Sequence, residues 1–417
     1  MLAQSRHNMD SLKYFELEKQ IDSIVSNAIN QEAFPGCVVY ASCQDSTVFF
    51  KAFGYHTYDS VKSVNIGSIY DLASITKVVG ATLSLMKLYE DSLIHLDDPI
   101  SVYLDGLGRK VGNVTIREAL AHQGGLYPWI PYYQRIKRKN GQFRRRFISG
   151  SPNEVYPFEL SDSLYLRADF YKTIKKYIKK SRVADDPSYK YSGLFFYLIP
   201  ELVEKLSGTK YEVYLDEHFF QPLQLSTMGF QPLKRFTSDL IVPTEIDTFF
   251  RMKQIHGEVH DEGAIMMRGV SGNAGLFSNA KDLAVIMNVL SNNGRLDSIQ
   301  ILEPQTIDLF NTVHYPNLKN RRGLGFDKPL LTYDSVRSSV ARSVSRHSFG
   351  HTGYTGTLAW SDPENKIVFI FLSNRVYPSR KNTAIYRLNV RPTIHQLLYD
   401  YLESERAGKG LTGEKWK

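Results

Sequence analysis

Ser74 and Lys77 stand three residues apart in the segment Asp71-Leu-Ala-Ser74-Ile-Thr-Lys77. At the start of a helix that spacing puts both side chains on one face, about one turn apart. A serine there meets the first free N–H groups of the helix and the positive end of its dipole. Both favour a developing anion and disfavour the extra proton on Lys77. A lysine so placed can take the proton of the Ser74 hydroxyl, which makes the pair a nucleophile and its base. Alone, S-x-x-K is weak, because an N-capping serine followed by a solvated lysine spells the same pattern. A second constellation competes with it: His256-Gly-Glu258-Val-His260-Asp261-Glu262. On a strand, His256, Glu258 and His260 would share a face and could clasp a metal ion.

The surrounding pattern supplies the elements that must position these groups. Leu12, Phe15, Ile21, Ile24, Val25 and Ile29 recur at helical spacing over residues 12–30. Residues 37–42 and 47–53 are apolar segments on either side of Gln44-Asp45-Ser46, a hairpin signature. A long helical pattern runs from about Ser74 to Asp91, and helical pieces follow at 115–122, 168–180, 194–206, 210–219 and 280–292. Strand character returns at 357–361 and 366–373, before a last helix near 384–403. Strands near both ends around a helical middle predict one sheet completed by the two ends, with the helical lobe inserted.

Composition narrows the function classes. The 417 residues are 42% hydrophobic and 23% charged, which excludes a disordered chain, a collagen-like fibre and a coiled coil. Two cysteines exclude a disulfide framework. Cys37 and Cys43 share one predicted strand, about 20 Å apart, too far to bond and suited to a core. No apolar run is long enough for a membrane span. Residues 1–10 carry charge and polarity where a signal peptide needs apolar residues, leaving a cytoplasmic protein or a piece without its targeting segment. The net charge of +8 is concentrated locally: residues 132–147 hold seven of the 51 Lys and Arg, interleaved with four aromatics. The stretch 135–146 reads as a solvated surface loop, with an anionic polymer or membrane surface as its functional alternative. Nucleic-acid binding through it is not expected.

Two further segments complete a pattern. Tyr191-Ser192-Gly193 opens an apolar helix, and His351-Thr352-Gly353 precedes a strand. The order S-x-x-K, Y-x-x, [KH]-T-G resembles the serine penicillin-recognising enzymes: β-lactamases, penicillin-binding proteins and their esterase relatives. "DLASITKVVGATLSLMKLYEDSLIHLDDPISVYL", "VTIREALAHQGGL" and "FGHTGYTGTLAWSDPENKIVFIFLSNR" carry the likeness over roughly residues 17 to 402. The stretch 243–284 is similar to a wall-associated branch. That branch includes a low-molecular-weight penicillin-binding protein and lactamase-like modules fused to N-acetylglucosaminidases.

The resemblance implies a β-lactamase/transpeptidase-like α/β (α+β) fold: an antiparallel sheet from both chain ends, flanking helices and an inserted, mainly helical lobe. Residues 1–417 then form a single catalytic domain, with 12–73 and 340–405 as its α/β half and 74–339 as its helical half and loops. It implies that Ser74 forms an acyl-enzyme, that Lys77 balances its proton and that Tyr191 shuttles it. A phenol serves as a base only where cations lower its pKa, which asks Lys77 and His351 to lie close. His351 replaces the more familiar lysine and would make attraction of a substrate carboxylate pH-dependent. The N–H groups of Ser74 and Tyr354 would form the oxyanion hole, with Thr352 and Gly353 beside the substrate. Gly193 stands where the pattern has Asn or Asp, so lactam hydrolysis is in doubt unless another group, such as Gln123, fills the gap. The 256–262 stretch becomes a loop edging the groove. No cofactor or metal is implied. The expected substrate is a small molecule or peptide (wall peptide, ester or lactam), the expected location the periplasm or cell envelope. A D-Ala-D-Ala carboxypeptidase or esterase competes with a catalytically weakened wall-binding module of the same fold.

Overall fold

In the computed structural model, which describes residues 11–161, 163–185 and 188–408, strand β1 (Gly36–Cys43) is buried along its whole length. It turns back into β2 (Ser46–Gly54) through Gln44 and Asp45, whose φ angles of 50° and 62° are both left-handed. A two-residue turn of this hand matches the twist of its hairpin. The other side of β1 pairs with a strand from the far end of the chain. Cys37 lies opposite Ser373 and Cys43 opposite Ile367 in strand β5 (Ile367–Ser373). With β3 (Phe349–Thr352) and β4 (Leu358–Asp362) the antiparallel order is β3-β4-β5-β1-β2. The predicted sheet from both ends is therefore present.

Helices cover both faces of this sheet, which explains why its central strands read as apolar runs and not as alternations. The helices that matter for it are α1 (Ser11–Asn30), α2 (Leu83–Glu90), α3 (Ala280–Ser291) and α4 (Val390–Gly408). Cys37, Val39, Phe369 and Phe371 share one core with Leu17, Ile21 and Val25 of α1 and Ile394 and Leu398 of α4. Val38, Tyr40, Val368, Ile370 and Leu372 face a second core that contains Ile286 and Met287 of α3. Period two thus divides one strand between two cores. Both cysteines are free and buried, and burial pushes both thiols up in pKa.

The helix expected from Ser74 to Asp91 is not uniform. It opens with a tight turn at Ala73–Ile75, widens to i→i+5 bonding over Lys77–Thr82 and becomes regular only in α2. Gly80 lies in the wide turn, and a Cβ there would sit 3.0 Å from Leu276 and 3.1 Å from the Tyr211 hydroxyl. The middle also holds short strands that no pattern announced, at Ile148–Ser149, Phe158–Ser161 and Leu164–Leu166. In the basic stretch, Tyr132 and Phe147 belong to the core, while Arg138, Lys139, Arg145 and Arg146 are exposed. Lys137 Nζ donates to the Phe249 carbonyl at 2.6 Å, tying the loop down. No helix among the described residues is long and apolar enough to cross a membrane.

His395 on α4 is buried, stacked on Phe369 with ring centroids 4.5 Å apart, and its Nδ1 accepts the Ala341 N–H at 3.3 Å. Burial pushes its pKa down to about 3. Between that value and the free imidazole's, roughly 6.5, the unfolded chain holds the extra proton. The stability contribution is therefore complete above the unfolded value and is lost as pH falls toward the folded one. His395→Gln should shrink the fall in urea-unfolding free energy between pH 7 and pH 4. An acid dependence identical to wild type would contradict this.

Candidate active site

The nucleophile turn begins where Tyr70–Asp71 pairs with Leu276–Ser278. The chain then bends at Ala73, whose φ of 46° is uncommon for a residue with a Cβ. Asp71 holds the bend: one carboxylate oxygen accepts the Ala73 N–H at 2.8 Å, and the other accepts the His260 N–H at 2.7 Å. Its carboxyl is fully buried, and burial raises its pKa against the lowering effect of these two bonds. The expected Ser74–Lys77 pair is formed. Lys77 Nζ donates to Ser74 Oγ at 3.0 Å and to the Asn273 carbonyl at 2.8 Å. Lys77 is buried, and its ammonium lies 5.5 Å from the ring centres of both Tyr191 and Phe196. Thr76, inside the S-x-x-K segment, accepts the Leu276 N–H at 3.2 Å and so fastens the strand that follows Asn273.

Tyr191 donates to Ser74 Oγ at 3.4 Å, so lysine and phenol converge on one hydroxyl oxygen. The Tyr191 ring is packed between His122, 4.5 Å away, and His351, 5.9 Å away. The Arg322 guanidinium lies 5.2 Å over its face. Negative charge developing on the phenol oxygen would therefore form beside two cations, Lys77 and Arg322.

The third segment reaches the nucleophile through an unusually close approach. A Cβ at Gly353 would lie 2.0 Å from Thr357 Oγ1 and 2.6 Å from the Leu72 carbonyl, so only glycine fits. Thr355 Oγ1 donates to the Asp71 carbonyl at 2.8 Å and Thr357 Oγ1 to the Leu72 carbonyl at 3.3 Å. Tyr354 is half exposed, stacked on His260 at 5.7 Å, with the Arg375 guanidinium 4.7 Å from its ring centre. Thr352 ends β3 and is partly exposed.

His351 is placed as expected but not charged as expected. It is buried, its Nδ1–H donates to the Thr352 carbonyl at 2.7 Å, and burial, with Arg322 and Lys77 nearby, pushes its pKa down to about 3. The imidazole is neutral near pH 7, and the pH-dependent carboxylate attraction expected of it is corrected. The permanent cation here is Arg322, since a guanidinium does not titrate. Gln123 also sits differently from the expectation. It is buried, and its side-chain oxygen accepts from Asn320 at 2.9 Å. The second bond of Lys77 comes instead from the Asn273 main chain. Gly193 leaves real space, as a Cβ there meets nothing within 4 Å.

The rival histidine segment is irregular, not a strand, and its side chains part company. His256 bonds the Ile241 carbonyl, Glu258 pairs with Lys253, and His260 Nε2 with Glu245 at 2.9 Å. Asp261 caps Ala264, and Glu262 pairs with Arg380 at 2.7 Å. His260 stacks on Tyr354, which places the segment beside the residue that follows the H-T-G turn. Sequence reasoning missed Asp71, His122, Asn273 and Arg322. Asp71 carries a legible signal, an aspartate two residues before a strained turn. The others come from distant loops with no local pattern.

A family model described as Beta-lactamase matches residues 21–391. A protein of Escherichia coli O157:H7 with the provisional name D-alanyl-D-alanine carboxypeptidase is 30% identical over 391 residues, 87% of this chain and 83% of its own length. A Bacillus subtilis (strain 168) protein named N-acetylmuramyl-L-alanine amidase is 26% identical, covering 91% of this chain and 84% of its own. Among solved structures, EstCE1, a hydrolase with promiscuous acyltransferase activity, is similar with TM-score 0.66 at 19% identity, covering 92% of this chain and 100% of its own. A penicillin-binding protein homologue from Caulobacter crescentus is similar with TM-score 0.64 at 17% identity, covering 95% and 99%. At these identities the last two speak for the fold.

A neutral His351 predicts that His351→Gln leaves the shape of the pH–rate profile for a p-nitrophenyl ester unchanged between pH 5 and 8, whatever its amplitude. Loss of an ionisation in that window in the variant would show that His351 titrates there. Gly353→Ala should cost about 1–3 kcal/mol of stability from overpacking and abolish ester turnover in the fraction that stays folded. A variant with wild-type turnover would refute the close-approach reading.

Proposed function

The chain belongs to the beta-lactamase family of serine hydrolases, and on that premise we propose that Ser74 forms a covalent acyl-enzyme with amide or ester substrates bearing D-alanyl-type wall-peptide chemistry. The observation that carries this reading is the convergence of Lys77 Nζ and Tyr191 OH on Ser74 Oγ. Oγ attacks the carbonyl carbon while its proton passes into the Lys77–Tyr191 pair. The carbonyl oxygen takes up negative charge facing the N–H groups of Ser74 and Tyr354. Collapse expels the leaving amine or alcohol, which receives the proton, and water then attacks the ester on Ser74 by the same relay in reverse. Lys77, Tyr191 and Ser74 are the groups to which we assign chemistry, with Thr352 and Gly353 shaping the substrate edge.

Gly193 favours small-molecule esters and peptides over lactams, because no side chain at that position reaches the substrate amide. It also motivates the reading of a weakened wall-binding module. The Asn273 carbonyl, by replacing a side-chain hold on Lys77, supports the active enzyme instead. The relatives' names point to alanine-bearing amide bonds and hence to the cell envelope, where exposed Arg138, Lys139, Arg145 and Arg146 would suit an anionic polymer.

A fluorophosphonate or penicillin probe should label the wild type and not Ser74→Ala. Ester turnover should fall by at least about 10³-fold in Ser74→Ala and in Lys77→Met. Equal labelling of wild type and Ser74→Ala would sink the assignment.

A further inference from the structure

The positive charge of the chain is gathered in three segments. Residues 108–112, 132–147 and 170–182 hold two, seven and six Lys or Arg, and no Asp or Glu. Together they exceed the net +8 of all 417 residues, so the rest of the chain is net negative. The segments are distant in sequence, and the fold joins them. The helix Phe170–Lys179 buries Phe170, Ile174 and Ile178, one stripe at helical spacing, and the basic loop rests on both of its ends. Phe147 packs edge-on against Phe170 at 5.6 Å, and the Arg135 guanidinium lies 5.7 Å from the ring centre of Tyr177. The Lys179 stem runs along Gly108, where a Cβ would sit 3.3 Å from it, so Arg109 and Lys110 meet the same helix at its last turn.

Little of this charge is neutralised from within. Lys175 pairs with Glu201 at 2.6 Å, and Lys172 approaches Asp169 at 3.8 Å. Among the described residues the other thirteen cations have no ion-pair partner. Lys172 and Lys176, and again Lys176 and Lys180, are like charges one helical turn apart, an arrangement that opposes folding. A local conflict with no compensation inside the chain points to a counter-charge from outside. What the face lacks selects the partner. Among the described residues, the exposed large apolar side chains include none from these three segments. Tyr132 and Phe147 are buried, and Tyr133, Phe143 and Tyr177 pack against the core. A helix lying in a membrane surface needs apolar side chains on its outer side, and single-stranded nucleic acid stacks its bases on exposed rings. Neither is offered here, only cations.

We propose that this composite face, helix as much as loop, docks a linear polyphosphate-type polyanion by charge alone. The site lies apart from the nucleophile, so Ser74→Ala should bind the polymer as the wild type does, and loss of binding in that variant overturns the proposal. The probe is long-chain inorganic polyphosphate, with binding read by calorimetry. Affinity should fall at least about tenfold between about 50 and 200 mM NaCl, as counterion release requires. Lys176→Gln/Lys180→Gln/Arg182→Gln and, separately, Arg138→Gln/Lys139→Gln/Arg145→Gln/Arg146→Gln should each weaken binding about tenfold or more. Both should melt no lower than the wild type, since they relieve repulsion, and Lys176→Arg/Lys180→Arg should keep wild-type affinity. No binding at the lower salt, unchanged affinity in the helix variant, or loss in the charge-conserving one overturns the proposal. So does tighter binding to vesicles of equal phosphatidylglycerol and phosphatidylcholine than to polyphosphate, which would make the face a membrane surface.

Discussion

Everything at the site depends on how closely one turn of main chain can approach another. Gly353 lies against Leu72 and Ala73 with no room for a methyl group, and threonine hydroxyls at 355 and 357 reach across to the carbonyls of Asp71 and Leu72. That seam is what sets Ser74 beside the third segment. Asp71 is its node, because one buried carboxylate holds the strained Ala73 bend and the His260 main chain together. A conformation that is locally unfavourable persists only where its surroundings over-determine it, and here three separate segments do so.

The charges divide by task. Beside Tyr354 the charges of one cluster pair: Glu245 accepts from His260 and Arg380, and Arg380 also meets Glu262. Burial works against the Glu245 carboxylate, yet these hydrogen bonds hold its pKa down to about 2. Such buried ion pairs add little net stability, but removing one partner is expensive, so they fix a loop in one place. The opposite holds at Lys77, whose hydrogen-bond acceptors are a hydroxyl and a main-chain carbonyl and not a carboxylate.

Much of this was readable before any coordinates. Ser74 and Lys77 are a local spacing, and Tyr191 and the 351–353 segment lie at strand and helix boundaries that periodicity marks well. The strands at 37–42, 47–53, 357–361 and 366–373 were visible as apolar runs, whereas β3, Phe-Gly-His-Thr, is short and mixed and gave no such signal. What stayed hidden was set by distance and burial. Arg322, Asn273 and His122 come from loops that only the folded chain brings together. The neutrality of His351 is invisible in a letter code, since it arises from desolvation beside two cations. The widened turn at Lys77–Thr82 reflects the close packing of Gly80 on Leu276 and Tyr211, a tertiary demand that overrides helical preference.

The pairing of β1 with β5 has a consequence for the life of the chain. During synthesis Ser74 emerges well before the strand that must lie beside Gly36–Cys43. Until Ile367–Ser373 has been made, β1 lacks one of its two sheet neighbours, and the sheet that carries the 353–357 turn is incomplete. Folding must then bridge long sequence separations, which slows assembly relative to locally wired proteins. Assembly of the site therefore waits for a strand made long after Ser74.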